Sequence, residues 1–439
     1  MEKLLQAAME SADSAEVFFT ESEYSSLSTR NGIVTEVGTT MQSGYALRVL
    51  KGGKLGTAYT KNLLDRSDLV KNALSSLEGE VEAGFSFPEP AEVREMQKYS
   101  PSVESLGFPD LFDACRELLD FFRNRTEGQV DAGSAFGRSS SRIINSNGLD
   151  LSDRSSVFTG SAQVLFPNTE SGIYETFSFR ERKPFPKESL ERQLSLYTRG
   201  LPEVDIQTGR MKVMFLPFSM YTLTWRLSAA ASGRSFVKGT TPLLGKVGQK
   251  VLSENFTWYD DPLDPDSVGG ATPFDDEGIP TKRTAIIVNG VFKTIFVNLD
   301  CASQLNLAPT GHGYRGGGMW GGNPIVNPPQ PGLSAPGFAP GEASFDSMVE
   351  GMDRGIILFG VLGAHSGNII NGDFSVGMNP GLYVERGRIV GRVRDGMVAG
   401  NAWDVLNRVE AVQNGPYNPF GYFRYPCVLL DGVSVSARG

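Results

Sequence analysis

Apolar positions recur at two different periods along this chain, and the alternation between them predicts most of its elements. In residues 1–12, Leu4, Leu5, Ala8 and Met9 share one face of a short helix. The period then falls to two. Val17–Thr20 opens a set of strands, Tyr24–Arg30 and Ile33–Val37 flank an Asn31-Gly32 turn, and Tyr45–Leu50 and Leu55–Thr60 flank Lys51–Lys54. This order predicts an antiparallel meander. Ser67–Leu77 returns to helical spacing, and residues 78–107, with Pro88, Pro90 and Pro101, read as a long connection over the surface. Pro109 suits a first helical turn, and Leu111, Phe112, Cys115, Leu118, Leu119 and Phe122 form the stripe of the helix it starts. Strands follow over Val130–Ser140, Arg142–Asn145, Leu149–Leu165 and Glu175–Arg182, then a helix over Lys187–Tyr197. Strands with separate helices and no strict βαβ alternation predict an α+β domain over residues 1–205.

Beyond the polar stretch Gly200–Gly209 the pattern changes, and residues 206–439 are expected to form a second domain. Lys212–Leu216 is a buried-strand run, followed by a helix over Ser219–Ala231. Thr284–Val288 and Val291–Val297 flank Asn289-Gly290, the strongest short hairpin signal, and Leu299–Leu305 reads as a short helix. Gly311–Gly341 is a long loop rich in Gly, Pro and Asn. Short strands are predicted at Gly355–Val361, Gly372–Val376, Leu382–Glu385 and Arg388–Val393, and a helix at Ala402–Ala411. Cys427–Leu430 and Val433–Ala437 are read as a closing hairpin over Asp431-Gly432. Many short strands with Gly turns predict a curved or barrel-like β-rich domain with a few helices. The whole is α+β, an antiparallel sheet with helices followed by that curved domain.

Composition narrows the function classes. A chain of 439 residues exceeds one ordinary core, and its 40% hydrophobic and 21% charged residues are those of a globular protein. A net charge of −9 and no cluster of Lys and Arg exclude a nucleic-acid surface. The N-terminus has no apolar signal core, and the most apolar run, Gly355–Gly363, is far too short for a membrane span. A cytoplasmic location is the expectation. The three cysteines, Cys115, Cys301 and Cys427, form no CxxC pair. Cys115 lies on a helix stripe and reads as a core residue.

The densest chemistry lies in Thr272–His312, TPFDDEGIPTKRTAIIVNGVFKTIFVNLDCASQLNLAPTGH. An acidic turn, a hairpin, a helix and a Gly loop follow in order. Thr272-Pro273-Phe274-Asp275, Glu277-Gly278, Thr281, Arg283, Asn289-Gly290 and Thr310-Gly311-His312 together resemble the PmbA/TldE branch of the TldD/PmbA family. There a TPFD-x-EG-x-x-T-x-R segment leads into an I-x-(D/N)-G hairpin and a later TGH or TGN. The similarity continues more weakly through Gly355-Ile356-Ile357-Leu358, Gly372-Asp373-Phe374-Ser375 and Gly400-Asn401. It covers most of the C-terminal half; the N-terminal half agrees in the order of its elements.

The TldD branch resembles a zinc peptidase, with a His-Glu-x-x-x-His helix and a distant Cys around a metal that activates water. The matching helix here, Ser219–Ala231, contains no His, Glu or Asp, as in the TldE branch. The resemblance therefore implies a subunit with no metal site and no catalytic residue of its own. Its expected partner is a TldD-type chain that carries zinc, and its expected substrates are peptides or small unfolded proteins. Thr310, Gly311, His312 and Arg283 are the expected wall of the substrate channel. His312 either contacts substrate or partner there, or holds its turn by hydrogen bonds to main chain. Asp275, Asp276 and Glu277 read as a turn in which Asp275 bonds backbone amides and Arg283 pairs with Glu277. Cys427 reads as a packed strand residue. An alternative function is a non-enzymatic homodimer that modulates a protein target, in line with the family's older name, modulator of DNA gyrase. A zinc site from His312, His365 and Cys427 has no helical spacing behind it. Gly316-Gly317-Gly318 with Gly321-Gly322 lacks the Lys-Ser/Thr of a phosphate cradle, and no Gly-x-Ser-x-Gly elbow occurs.

Overall fold

The computed structural model describes residues 1–63, 66–316, 323–415 and 421–437. The Gly317–Gly318 and Gly321–Gly322 stretches lie outside them.

Six strands form the first sheet: β1 (Ser14–Arg30), β2 (Ile33–Lys51), β3 (Lys54–Thr60), β4 (Val130–Asn145), β5 (Asp150–Leu165) and β6 (Gly172–Phe179). They are all antiparallel, in the order β3-β2-β1-β4-β5-β6. Segments expected as separate short strands are continuous here. Residues 20–28 and 36–44 pair without a break in spite of their Ser, Thr and Glu, and the ladder resumes past one bulge at Thr35, because cross-strand pairing tolerates polar residues on an open face. The period of two assigns the faces. Odd positions such as Val17 and Leu27 meet α1 (Glu2–Met9), α2 (Arg66–Ser75) and α3 (Phe108–Phe122). The even positions Glu16 and Phe18, opposite Arg48 and Ala46, face the second half of the chain. Phe112 is the exception on α3: it is exposed, not part of the stripe. The connection 78–107 does more than cross the surface. It buries Phe87 and Lys98, the latter paired with Asp153.

A ten-stranded sheet organises the second half and curls into half a barrel. At its centre β8 (Gly209–Phe215) lies between β15 (Arg354–Leu358), parallel to it, and β22 (Val428–Ala437), antiparallel. Val213 and Phe215 pack into one core with α5 (Tyr221–Ala231), while Met214 and Leu216 pack into a second core shared with α4 (Lys187–Arg199) of the first half. A strand buried on both faces explains its unbroken apolar run.

Four expectations fail locally. The closing "hairpin" is one strand, β22, with a bulge between Leu430 and Val433. Gly432, at φ 63°, admits the bulge, and Arg408 bonds the carbonyls of Asp431 and Gly432. The helix at Ala402 ends at Leu406, because Val409–Val412 pairs with β22 instead. The return of the Asn289-Gly290 hairpin keeps ladder pairing only at Val291–Phe292; Lys293 and Thr294 both bond Ile286 O and the chain leaves the sheet. The loop after Gly311 is not structureless: Gly313–Tyr314 pairs with Gln330–Pro331, and Pro336–Phe338 pairs with Trp258–Asp260. Among the described residues no helix is long and apolar enough to cross a membrane.

Candidate functional site

The acidic turn is buried, and it joins the two halves. Asp275 Oδ1 accepts the amides of Glu277 (3.0 Å) and Ile279 (2.9 Å), and its Oδ2 accepts that of Gly313 (2.8 Å). This is the amide-bonding role expected of it. Burial, with Glu277 beside it, pushes the Asp275 carboxyl well above the usual range. Gly278, at φ 80°, closes the turn against Leu149 of the first half.

Glu277 does not pair with Arg283. Its Oε2 accepts the Leu299 amide (2.7 Å) at the start of the short helix Leu299–Leu305, and its Oε1 accepts Arg48 Nη1 (2.8 Å) from β2. Arg48 grips Glu16 of β1 with two parallel bonds, Nε to Oε1 at 2.8 Å and Nη2 to Oε2 at 2.7 Å. Arg315 Nη2 reaches Glu16 Oε1 at 3.0 Å while its amide donates to Asp276 Oδ2 at 2.7 Å. Glu16, Arg48, Glu277 and Arg315 are each almost fully buried. Desolvation opposes the charge on Arg48, but the carboxylates of Glu16 and Glu277 outweigh it and raise the guanidinium above its ordinary value. Arg48 lies under Phe87 and Arg315 over Phe18. Gly313 is small for a reason: a Cβ there falls 2.4 Å from Glu277 Oε2.

Thr310, Gly311 and His312 lie together on this structure, with the imidazole buried. Thr310 Oγ1 donates to Val297 O (3.0 Å) and accepts from Val297 N (2.8 Å). Its single proton is thus used, so His312 Nδ1, 2.9 Å away, must be the donor. That sets the tautomer and leaves the Nε2 lone pair facing Asp260 Oδ2 at 3.5 Å. Burial lowers the His312 pKa to about 4, and burial raises that of Asp260 to about 7 against two amide bonds from Ala335 and Ser334. Both directions favour a neutral imidazole beside a protonated carboxyl. Arg283 is half out in solvent, 4.3 Å above the Tyr259 ring and 3.6 Å from Asp261. It therefore approaches the same segment as His312, one residue along from Asp260, but does not enter the buried group.

The helix expected to match a zinc motif is α5. Its one buried charge is Arg226, whose guanidinium donates to four main-chain carbonyls: Thr222 (2.7 Å), Ala364 (3.1 Å), Ser366 (2.7 Å) and Asp373 (2.6 Å). Burial lowers its pKa to about 10. A fixed cation with no His, Glu or Asp on the helix does not fit a zinc ion there. His365 sits between Ala364 and Ser366, two of the residues whose carbonyls accept from Arg226, and is itself exposed, unlike the buried His312. Cys427 is buried beside Glu175 and Arg192, and burial pushes its thiol up to about 12, against a thiolate role. Among the described residues no three His, Cys, Asp or Glu side chains gather as a metal group.

Sequence reading missed Glu16, Arg48, Asp260, Arg315 and Arg226. A signal existed for three: Glu16 in Ser14-Ala-Glu-Val-Phe-Phe19, Arg48 in Tyr45-Ala-Leu-Arg-Val-Leu50 and Arg226 in Leu223-Thr-Trp-Arg-Leu227 are charges inside apolar runs.

The sequence profile of the PmbA/TldA metallopeptidase C-terminal domain matches residues 208–437, and that of domain 1 matches residues 15–77. The chain belongs to the PmbA/TldD family. It is 26% identical to a metalloprotease of Methanothermobacter thermautotrophicus, over 89% of this chain and 86% of that one. It is 25% identical to a metalloprotease PmbA homolog of Haemophilus influenzae, over 99% and 94%. The fold matches TldE from Thermococcus kodakarensis with a TM-score of 0.89 over the full length of both chains, at 24% identity. It matches a candidate modulator of a DNA gyrase from Thermotoga maritima at 0.86, at 26% identity over 99% of each. Membership of a metallopeptidase family and the curled second sheet agree with the sequence expectation.

Proposed function

We propose that this chain is a TldE-like subunit of a two-chain metallopeptidase, acting on peptides or small unfolded proteins, with zinc held by a TldD-type partner. The observation that carries this reading is Arg226. It occupies, as a carbonyl-bound cation, the helix on which the metal-binding branch would place its His-Glu-x-x-x-His ligands. Two further features support it. Among the described residues nothing continues the β3 pairing over residues 33–43 of β2, and this edge exposes Ile33, Val34, Val37 and Met41, an invitation to a second chain. A groove of about 700 Å³ runs over the first sheet, floored by Ser26, Ser28, Ser155 and Thr159 and roofed by Gly269 and Tyr422. Such a polar, Gly- and Ser-lined trough suits an extended chain read by its backbone. His312 is buried, Thr310 is half-buried, and both are bonded internally, so their role in this reading is to hold the segment in place.

The test is metal content and peptidase activity of the chain alone, then with a TldD-type paralogue. The expected result is near-zero zinc and no casein cleavage alone, with chelator-sensitive cleavage after co-purification. One zinc per chain, or cleavage by the chain alone, overturns the reading. A stable homodimer that ignores the paralogue favours the homodimeric modulator instead.

A further inference from the structure

A second site lies where α4 and β6 meet the end of β8. A cavity of about 120 Å³ opens there, walled by Tyr174, Phe218 and Phe359, with Glu175, Gln193 and Cys427 toward its polar side. The three rings form one cluster, with Tyr174 centred 4.3 Å from Phe218 and 5.0 Å from Phe359. The space equals about four waters, or roughly one benzene-sized ring.

Gln193 decides what the cavity takes. It is 2% exposed, and its Nε2 donates to Ala162 O (2.8 Å) and Ile173 O (2.9 Å). Flipping the amide sets oxygen against two carbonyl oxygens, so the orientation is determined. Oε1 is then a buried acceptor with no partner, and buried acceptors are normally satisfied. Beside it Glu175 accepts the Thr176 amide and lies 3.4 Å from Arg192. An anion meets Glu175 and the amide oxygen; a cation meets Arg192. A neutral donor on a flat ring meets neither obstacle.

We propose that this cavity binds a phenol ring, stacked among Tyr174, Phe218 and Phe359, with its hydroxyl donating to Gln193 Oε1. The phenol is either a free small molecule or a tyrosyl side chain presented by a peptide. The site belongs to this chain alone, and the inference does not depend on a metal-bearing partner.

The experiment uses the intact chain and follows binding of p-cresol, toluene and a capped Gly-Tyr-Gly peptide by calorimetry and ligand-observed NMR. The expected result is a Kd for p-cresol about tenfold below that for toluene, the worth of one hydrogen bond. Cys427→Met, which fills the cavity, is expected to abolish p-cresol binding with the thermal transition retained. Binding of the peptide as well identifies a tyrosyl side chain; binding of p-cresol alone identifies a free phenol. Equal affinity for toluene and p-cresol, or no binding of either to the unaltered protein, overturns the proposal whatever the variant does.

Discussion

His312 and Asp260 form a pair whose titration is hidden in the intact protein and exposed by removing either member. In the unfolded chain the two groups titrate near 6.5 and 3.8, so the pair holds one proton between those values. In the fold His312 falls to about 4 and Asp260 rises to about 7. The folded pair therefore also holds one proton, between about 4 and about 7. The proton has moved from imidazole to carboxyl, but its number has hardly changed. Stability depends on pH only through the difference in bound protons, so the pair contributes almost no slope.

His312→Asn leaves Asp260 alone. The folded state then keeps a proton that the unfolded state releases above 3.8, so stability relative to the parent falls as pH rises from about 4 to about 7. At about 1.4 kcal/mol per pH unit the loss reaches the order of 4 kcal/mol. Asp260→Asn leaves His312 alone. The unfolded state now gains a proton that the fold refuses, so stability falls as pH drops from 6.5 to about 4, by the order of 3 kcal/mol. The other charged groups acting here, Lys282 on His312 and Asp261 on Asp260, are unchanged in both variants. Urea unfolding of the parent, both single variants and the double variant at closely spaced pH values measures this. Opposite slopes in the single variants, and none in the double variant relative to the parent, are expected. Parallel profiles in the parent and both single variants refute the shared proton.

Other outcomes follow from the same structure. Arg48→Ala leaves Glu16 and Glu277 buried without their cation and is expected to cost about 3–5 kcal/mol in denaturant unfolding; a loss below about 1 kcal/mol contradicts the network. Gly313→Ala drives a methyl into Glu277, and calorimetry is expected to show a lowered Tm, whereas Gly38→Ala, which meets no described residue within 4 Å, leaves it almost unchanged. Arg226→Leu strips four carbonyls of their donor and is expected to destabilise by several kcal/mol at about 1 kcal/mol per bond, with no gain of zinc; bound zinc in that variant argues against the cation as the obstacle. Val37→Lys with Met41→Lys on the free edge of β2 is expected to weaken association with a partner chain in light scattering while leaving the monomer's Tm within about 1 °C, since exposed substitutions cost little.

How much of this was legible depends on whether a residue's role is local. The Asn31-Gly32 and Asn289-Gly290 turns, the stripe on α3 and the buried run of β8 are written in neighbouring residues, and each appears where periodicity places it. Elements whose form depends on a distant strand were misread. Val409–Val412 leaves its helix for β22, and Asp431-Gly432 is a bulge because β8 pairs with both sides of it. The candidate site lies further along the same scale. Glu277 and His312 were visible in a motif, yet Glu277 meets Arg48, 229 residues away, and His312 faces Asp260 in the strand Trp258–Asp260.

That separation also explains the form of the motif. Glu277 cannot serve as a solvent-facing turn acid, because its two oxygens are committed to Arg48 of the first sheet and to the amide of Leu299. Glu16 and Arg48 are opposite one another across β1 and β2, so a one-residue slip of that pairing turns one of them to the helix face and leaves a buried charge unpaired. The same slip withdraws Arg48 from Glu277 and opens the joint between the halves. The ion network therefore ties the register of the first sheet to the placement of the Thr310–His312 segment. A charge-removing set such as Glu16→Gln, Arg48→Met and Glu277→Gln tests this directly: fold stability is expected to survive better than in Arg48→Ala, while amide exchange in the hairpin β1–β2 and in residues 310–315 is expected to rise together. Exchange that rises in one segment and not the other separates the two and removes the coupling.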